Sequence, residues 1–234
     1  PAAAAPLLLV PDRVWDGEAM HSGWQVLVDG QRIVAAGPNL AVPPDTTRRA
    51  LPGQTLLPGF IEGHSHLLLH PYDKTPWDDQ VLKESEAYRV ARGVAHAKAT
   101  LLAGFTTVRD VGTYRGLTDV ALRDAIAAGH VPGPRMFVAG AYLTHPGGGG
   151  ELNGVVPNED LPADMRLGVL SGEAQAAEKA TLLLDGGVDF LKLMATGAVL
   201  AIGTEPGQPE LTEAEMRAAI AVAAQRGTYA TAHA

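Results

Sequence analysis

The sequence predicts an α/β fold: a (β/α)8 TIM barrel, with five β/α units present, and a small flanking β-sandwich. After Pro58 a pattern of strand, loop and helix repeats every few tens of residues, which is typical of parallel β/α units. Residues 7–57 instead read as short strands separated by turns, with no helix. We therefore expect residues 1–57 to form part of the sandwich and residues 58–234 to supply the first five strands of the barrel, its remainder being absent.

Composition excludes several classes of partner. The chain has 234 residues, 46% of them apolar, and its 18 basic and 26 acidic residues give a net charge of -8. Basic residues are scattered apart from Arg48 and Arg49, so we expect no nucleic-acid partner. The most apolar stretches, 7–10 and 67–69, are far shorter than the roughly 20 residues that cross a bilayer, so we expect no membrane span.

The absence of cysteine restricts the chemistry further. It excludes disulfides, thiolate nucleophiles and zinc-thiolate sites, so any metal must be held by histidine, carboxylate or a modified side chain. The chain begins at Pro1 without methionine, which fits a mature end left after export or a shortened chain. We expect one piece of a longer polypeptide, because a barrel takes roughly 250 residues and open strand edges are a liability. We also expect a homo-oligomer.

The N-terminal segment should form a small antiparallel sheet. Its predicted strands are residues 7–10, 25–28, 32–36 and 55–57. Asp29 and Gly30 lie between two apolar runs, and this dipeptide favours a tight hairpin turn.

Five strands and four helices are predicted after Pro58. The strands are residues 57–66, 105–110, 135–141, 188–194 and 228–234, and the helices are 83–102, 117–128, one capped by Ser171 and one beginning with a capping box at Thr212 and Glu215. The loop 142–170 contains His145 and four glycines at 147–150. Loops of this length inside a domain are usually functional or mobile.

Two histidines end the first predicted barrel strand, in the segment LPGFIEGHSH at 57–66. Alternate residues of a strand point to the same side, so His64 and His66 could bind one ion together. A buried histidine satisfied by a backbone carbonyl is the commoner situation. The motif therefore needs partners elsewhere in the chain.

Lys192 and His233 supply those partners on the fourth and fifth predicted strands. In a barrel the C-terminal ends of the strands converge on one face, so residues distant in sequence would meet there around a metal. Lys192 lies in the apolar run FLKLM, where an unpaired ammonium would be strongly disfavoured. It could reach water, form a Schiff base, or capture carbon dioxide as a carbamate that bridges two cations; with the histidines nearby, the carbamate accounts best for the pattern.

Several other polar residues have two interpretations each. Glu62 shares strand parity with the histidines and could support them or have a structural role. Asp110 could orient a ligand or bind Arg109, and His145 could donate to a substrate carboxylate or carbonyl or lie on the surface. The glycines at 147–150 lack the sequence that would make a phosphate loop. The remaining histidines, which we expect in loops or on helix surfaces, are His21, His70, His96 and His130.

Four segments together resemble the amidohydrolase superfamily: LPGFIEGHSH at 57–66, GFTTVRD at 104–110, DFLK at 189–192 and TAHA at 231–234. The most similar branch contains metal-dependent prolidases, imidazolonepropionase-like proteins and ochratoxin-hydrolysing amidohydrolases. The resemblance implies two zinc ions bridged by carboxylated Lys192, with His64 and His66 on one zinc and His233 on the other. It also implies a histidine on the sixth strand and a proton-shuttling aspartate on the eighth, neither of which this chain contains.

The resemblance further implies hydrolysis of an amide by a metal-bridging hydroxide, with Lys192, His233 and His145 at the catalytic site. We expect a small N-acyl or dipeptide-like amide as substrate, first an aromatic acyl amino acid of the ochratoxin type and second an Xaa-Pro dipeptide or a cyclic amide of the imidazolonepropionase type. A relative that binds metal without turnover, or an inactive fragment, is the alternative from another class.

Overall fold

The computed structural model describes residues 5–151, 162–199 and 201–234. Ten residues of the predicted loop, 152–161, and the first four residues of the chain therefore lie outside the described residues. The chain divides into two compact units, Pro1–Gly59 and Phe60–Ala234. Among the described residues, no helix combines the length and the apolar character needed to cross a bilayer.

The first unit contains one five-stranded sheet within its described residues. Its strands are β1 (Leu7–Trp15), β2 (Met20–Ser22), β3 (Gln25–Asp29), β4 (Arg32–Gly37) and β5 (Thr47–Leu56). The hairpin predicted at Asp29 and Gly30 is confirmed by the antiparallel pairing of β3 with β4. The expectation of an antiparallel sheet is wrong, because β5 pairs with β1 in parallel. Residues 47–54 were not expected in a strand, since exposed charged residues there hide the period of two.

The second unit alternates strands and helices. Its strands are β6 (Phe60–Ser65), β7 (Phe105–Asp110), β8 (Arg135–Val138), β9 (Leu191–Met194) and β10 (Ala230–His233), and its helices are α1 (Trp77–Leu82), α2 (Glu86–Leu102), α3 (Thr118–Ala127), α4 (Glu173–Asp185) and α5 (Glu213–Gln225). β6, β7 and β8 form one parallel sheet, and β9 and β10 form another.

Backbone hydrogen bonds also join the two parallel sheets of this unit. Asp189 N donates to Val138 O at 2.8 Å, and Leu143 N donates to Lys192 O at 2.8 Å. Met194 N in turn donates to Leu143 O at 2.9 Å. The main apolar core, with Leu143, Leu183 and Leu191 fully buried, lies where α4 and α5 pack beside these strands.

Several predicted boundaries shift for local reasons. The helix predicted at 83–102 is α2 and begins at Glu86, because the Ser85 side chain accepts a hydrogen bond from Tyr88 N and caps it. The short helix α1 before it was not predicted. The strand predicted at 135–141 ends at Val138, shortly before Gly140 takes a φ of +68°. Gly172 rather than Ser171 precedes α4, whereas the capping box of Thr212 and Glu215 is confirmed.

Candidate active site

Four of the polar residues that the sequence analysis predicted at the site line one cavity of about 260 Å³. His64 lies in β6, His66 directly follows it, Lys192 is the second residue of β9, and His233 is the last residue of β10. All four line this cavity. The fold thus brings together side chains that are up to 169 positions apart in the sequence.

His64 and His66 lie next to each other at the cavity wall, with ring centroids 5.6 Å apart. The Nδ1 atom of His66 is 2.9 Å from the carbonyl oxygen of Gly112. Because a carbonyl only accepts, Nδ1 carries the proton and Nε2 keeps its lone pair. Burial lowers the pKa of His66 to about 4, so the ring is neutral near pH 7.

Lys192 is buried, with 3% of its surface exposed. Burial lowers the pKa of its amine, and the positive charge of Arg109 lowers it further. Among the described residues that line the cavity, none is a carboxylate. The amine therefore lacks the anion that usually accompanies a buried lysine, and a larger neutral fraction makes it a better nucleophile.

His233 is fixed mainly through its backbone. β10 pairs in parallel with β9, so that Thr231 lies opposite Lys192, and the carbonyl oxygen of His233 accepts hydrogen bonds from Ala195 N and Thr196 N. The pKa of His64 is lowered first by burial and then by the charges of Lys192, Arg109 and His233. The cavity end formed by these groups is thus unfavourable for additional positive charge unless an anion accompanies it.

Aromatic side chains form another part of the cavity wall. The ring centroids of Trp77 and Tyr114 are 5.5 Å apart, and those of Tyr114 and Tyr142 are 4.9 Å apart. Tyr142 continues this row to His66 at 6.1 Å. Together with Tyr72, these rings give the cavity apolar surface in addition to its nitrogen groups. A ligand of mixed character would match both.

The glycine-rich loop contributes to the cavity wall and has its amides occupied. Gly147 N donates to Glu151 at 2.7 Å, and Gly149 N donates to both oxygens of Glu210 at 2.8 and 2.9 Å. Carboxylates therefore occupy the positions that a phosphate would need. A Cβ atom on Gly149 would lie 3.0 Å from Ala198 Cβ, so the tight packing explains a small residue there.

His145 lies elsewhere. Its ring lines a second cavity, of about 270 Å³, together with residues of the 203–210 segment, and its Nδ1 is 2.6 Å from Pro146 O. The structure therefore does not bring His145 together with the other four residues. A contact between His145 and substrate stays a prediction.

The other polar residues bond mainly to the backbone. Glu62 accepts from His64 N at 2.9 Å, and Asp110 accepts from Leu67 N at 2.7 Å. Arg109 donates to Gly63 O. His96 lies half-buried on α2, with its Nδ1 2.9 Å from Leu67 O, and His130 is exposed, as expected.

These residues can be tested for their fit to a metal. Among the described residues, no group of three or more histidine, cysteine, aspartate or glutamate side chains is arranged to hold an ion. The histidines of the cavity thus need additional donor atoms. A carbamate on Lys192 would supply two oxygens and a negative charge at the position that lacks an anion. The donor set fits a metal on that condition.

Sequence reasoning missed the residues that surround these donors. Gly112, Tyr114, Tyr142 and Glu210 belong to loops, and Trp77 is the first residue of α1. The local sequence patterns of these segments carry no chemical signature. A glycine two residues after a predicted strand end was the one available signal at Gly112, since it marks a special backbone conformation.

Comparisons with known proteins agree with this geometry. The amidohydrolase family matches residues 55–234. Ochratoxinase of Aspergillus niger is 25% identical over 247 residues, covering 97% of this chain and 48% of that protein. The chain thus spans about half the length of the curated relatives it matches.

Solved structures give the same assignment. A Xaa-Pro dipeptidase with bound methionine has a TM-score of 0.86 and 26% identity, over 98% of this chain and 57% of its own. A prolidase complexed with N-methylphosphonate-L-proline has a TM-score of 0.86 and 27% identity, over 98% and 56%. These relatives imply an α/β fold of the TIM-barrel type, and the family that matches most of the sequence settles the assignment. The chain belongs to the amidohydrolase family.

Proposed function

We propose that this protein is a metal-dependent hydrolase of amide bonds in small molecules, with His64, His66, Lys192 and His233 at its reaction centre. The observation that carries the proposal is that these four residues line one cavity although they come from three separate strands. Amidohydrolases are generally metal-dependent, and the matching relatives are named as hydrolases of amide or peptide bonds.

The proposed ligands are His64 and His66 for one zinc ion, His233 for a second, and a carbamate on Lys192 between them. A bound metal would polarise the amide carbonyl and lower the pKa of water. This chain's own residues contribute the neutral imidazole of His66, held by Gly112 O, and a buried amine able to take up carbon dioxide. The aromatic wall excludes water from one side of the substrate.

The cavity supports a substrate with an apolar group next to the scissile amide. Trp77, Tyr72 and Tyr114 offer flat surfaces to an aromatic acyl group, as in the amides cleaved by an ochratoxinase. Xaa-Pro dipeptides are the second candidate, because the dipeptidase and the prolidase are similar over nearly the whole chain.

A substrate panel tests both the activity and the preference. The full chain should be assayed with benzoyl, acetyl and Xaa-Pro amides before and after chelation, while bound metal is measured. We expect chelation to abolish turnover and added Zn²⁺ to restore it. Turnover that survives complete metal removal would contradict the metal-dependent mechanism.

A single substitution separates the two substrate classes. Trp77→Ala should lower kcat/KM for the benzoyl amide by roughly 5-fold and change Xaa-Pro turnover less, since an aromatic pair contributes about 1 kcal/mol. Trp24→Ala, in the first unit, is the matched control and should leave both ratios unchanged. Equal losses for the two substrates would remove the argument for an aromatic acyl group.

We also propose that β6–β10 are the first five strands of a (β/α)8 barrel, and that residues 1–57 and 58–234 belong to different domains. The parallel pairing and the hydrogen bond from Asp189 to Val138 between the two sheets support this arrangement. An eight-stranded barrel needs three further strands beyond these five.

A further inference from the structure

The carbonyl oxygen of Gly112 is the hydrogen-bond acceptor for His66. It lies 2.9 Å from His66 Nδ1 and also accepts a bond from the hydroxyl of Tyr142 at 3.1 Å. The Tyr142 hydroxyl is 3.3 Å from the same ring nitrogen. Two donors thus share one backbone oxygen, and the position of that oxygen determines which nitrogen of His66 is protonated.

Asp110 connects this acceptor to the residue that follows His66. One carboxylate oxygen accepts from Leu67 N at 2.7 Å, and the other faces Gly112 N at 3.4 Å. Asp110 is 1% exposed, so water does not compete for these bonds. Asp110 therefore joins two segments that are 43 positions apart, one that follows His66 and one that carries the Gly112 carbonyl.

The backbone conformation and the packing at Gly112 both require a glycine. Its φ is +124°, and a Cβ atom there would lie 2.5 Å from Tyr142 Cε1. The next residue, Thr113, donates its N–H to Gly140 O at 2.8 Å, which fixes the chain beyond the carbonyl. A residue with a side chain would have to move either Tyr142 or the carbonyl.

We propose that Asp110 is a positioning residue for His66. By binding Leu67 N and Gly112 N at once, it keeps the Gly112 carbonyl against Nδ1 and fixes the tautomer in which Nε2 carries the lone pair. The part of this inference that concerns metal affinity rests on the proposed function, because the Nε2 lone pair would bind a metal only if the cavity is a metal site.

The tautomer can be observed without metal or turnover. In the full chain labelled with ¹⁵N-histidine and stripped of metal, long-range proton–nitrogen correlation spectra distinguish the two forms, and His66→Gln assigns the signal. We expect His66 to be protonated at Nδ1 in the wild type. In Asp110→Asn, whose amide group turns a donor toward one of the two N–H groups, we expect a mixture of both tautomers.

Metal affinity is the second measurement, with Zn²⁺ alone as the probe. Asp110→Asn should weaken Zn²⁺ binding roughly 10- to 100-fold, the usual effect of losing a partner that orients a metal-bound histidine. Asp189→Asn is the matched control: Asp189 accepts from Val138 N and binds Arg123, so it also ties strands together without touching His66. It should leave both the tautomer and the Zn²⁺ affinity unchanged.

Tyr142→Phe provides a second variant if Asp110→Asn does not fold. It removes one donor from Gly112 O and keeps the ring, so the Nδ1 form should persist with an altered nitrogen shift. Protonation of wild-type His66 at Nε2, or an unchanged tautomer and affinity in Asp110→Asn, would overturn the positioning role. If the wild type bound no Zn²⁺ while the tautomer responded as expected, the proposed function would fail and the positioning of His66 would stand.

Discussion

Two carboxyl groups, Asp16 in the first compact unit and Asp119 in the second, lie in opposite surroundings. In the first, the exposed Asp16 accepts hydrogen bonds from Glu18 N and Ala19 N and lies 2.8 Å from His21 Nε2. The bond from Ala19 N, then that from Glu18 N and that from His21, lower the pKa of Asp16 to about 2. In the second, Asp119 is completely buried, and burial raises its pKa to about 6 although Gly140 N and Val120 N donate to it.

The difference shows where each unit uses its polar groups. A carboxylate at a turn keeps its hydration and stabilises local backbone, so its charged form is favoured. Burying a carboxyl group costs free energy of solvation. Asp110 and Asp119 are nevertheless buried, and each accepts a hydrogen bond from a distant backbone amide near the strand ends, Leu67 N and Gly140 N respectively. Asp110 and Asp119 thus connect distant segments through buried carboxyl groups in the unit that contains the candidate site.

The largest expected effect is at the centre of the second unit. Lys192→Ala should lower kcat/KM for any amide that the full chain cleaves by at least about 100-fold, since metal ions contribute several kcal/mol to catalysis. Bound zinc should fall in parallel. Lys98→Ala, which removes an exposed lysine from α2, should change neither quantity. Full turnover in Lys192→Ala would refute the carbamate.

A glycine in each unit gives the next comparison. Gly112→Ala should lower the free energy of unfolding by about 3 kcal/mol, because strain at a positive φ and a close contact with Tyr142 add together. Gly53→Ala, with a φ of +74° and open space around its Cβ, should cost about 1 kcal/mol. Urea unfolding of both variants measures this; equal losses would show that the packing at Gly112 is not tight.

The pH dependence of stability should change at Asp119. Its pKa in the folded protein lies above its ordinary value of 3.8, so the folded state binds more protons between pH 3.8 and about 6. The contribution of Asp119 to stability is complete below pH 3.8 and is lost as the pH rises through about 6. Urea midpoints should therefore decrease with pH over this interval more steeply in the wild type than in Asp119→Asn. Parallel pH profiles would contradict the raised pKa.

Asp16 should show the opposite sign and the smallest effect. Its lowered pKa means that its contribution is complete above pH 3.8 and is lost as the pH falls through about 2. Between pH 5 and 2.5, the wild type should lose slightly more stability than Asp16→Asn, as followed by urea unfolding. Zn²⁺ affinity near pH 7 should be the same in both proteins. A change in Zn²⁺ affinity would indicate that Asp16 influences the candidate site, contrary to this prediction.

Much of the fold was predictable because the signals are local. The strand 105–110, the hairpin at Asp29 and the capping box at Thr212 are each encoded by a few neighbouring residues, and each was found where expected. The candidate ligands were found because imidazoles on strands and a lysine in an apolar run stand out from their neighbours.

The parallel pairing of β1 with β5, the aromatic wall and the place of His145 were decided by tertiary structure. So was the acceptor of His66, which is 46 positions away along the chain. The sequence by itself determined most of the segments that become strands and helices, although not β5 or α1, and which side chains could bind a metal. Only the folded chain decided what each of those side chains contacts, because such contacts depend on how distant segments pack and not on the pattern within any one of them.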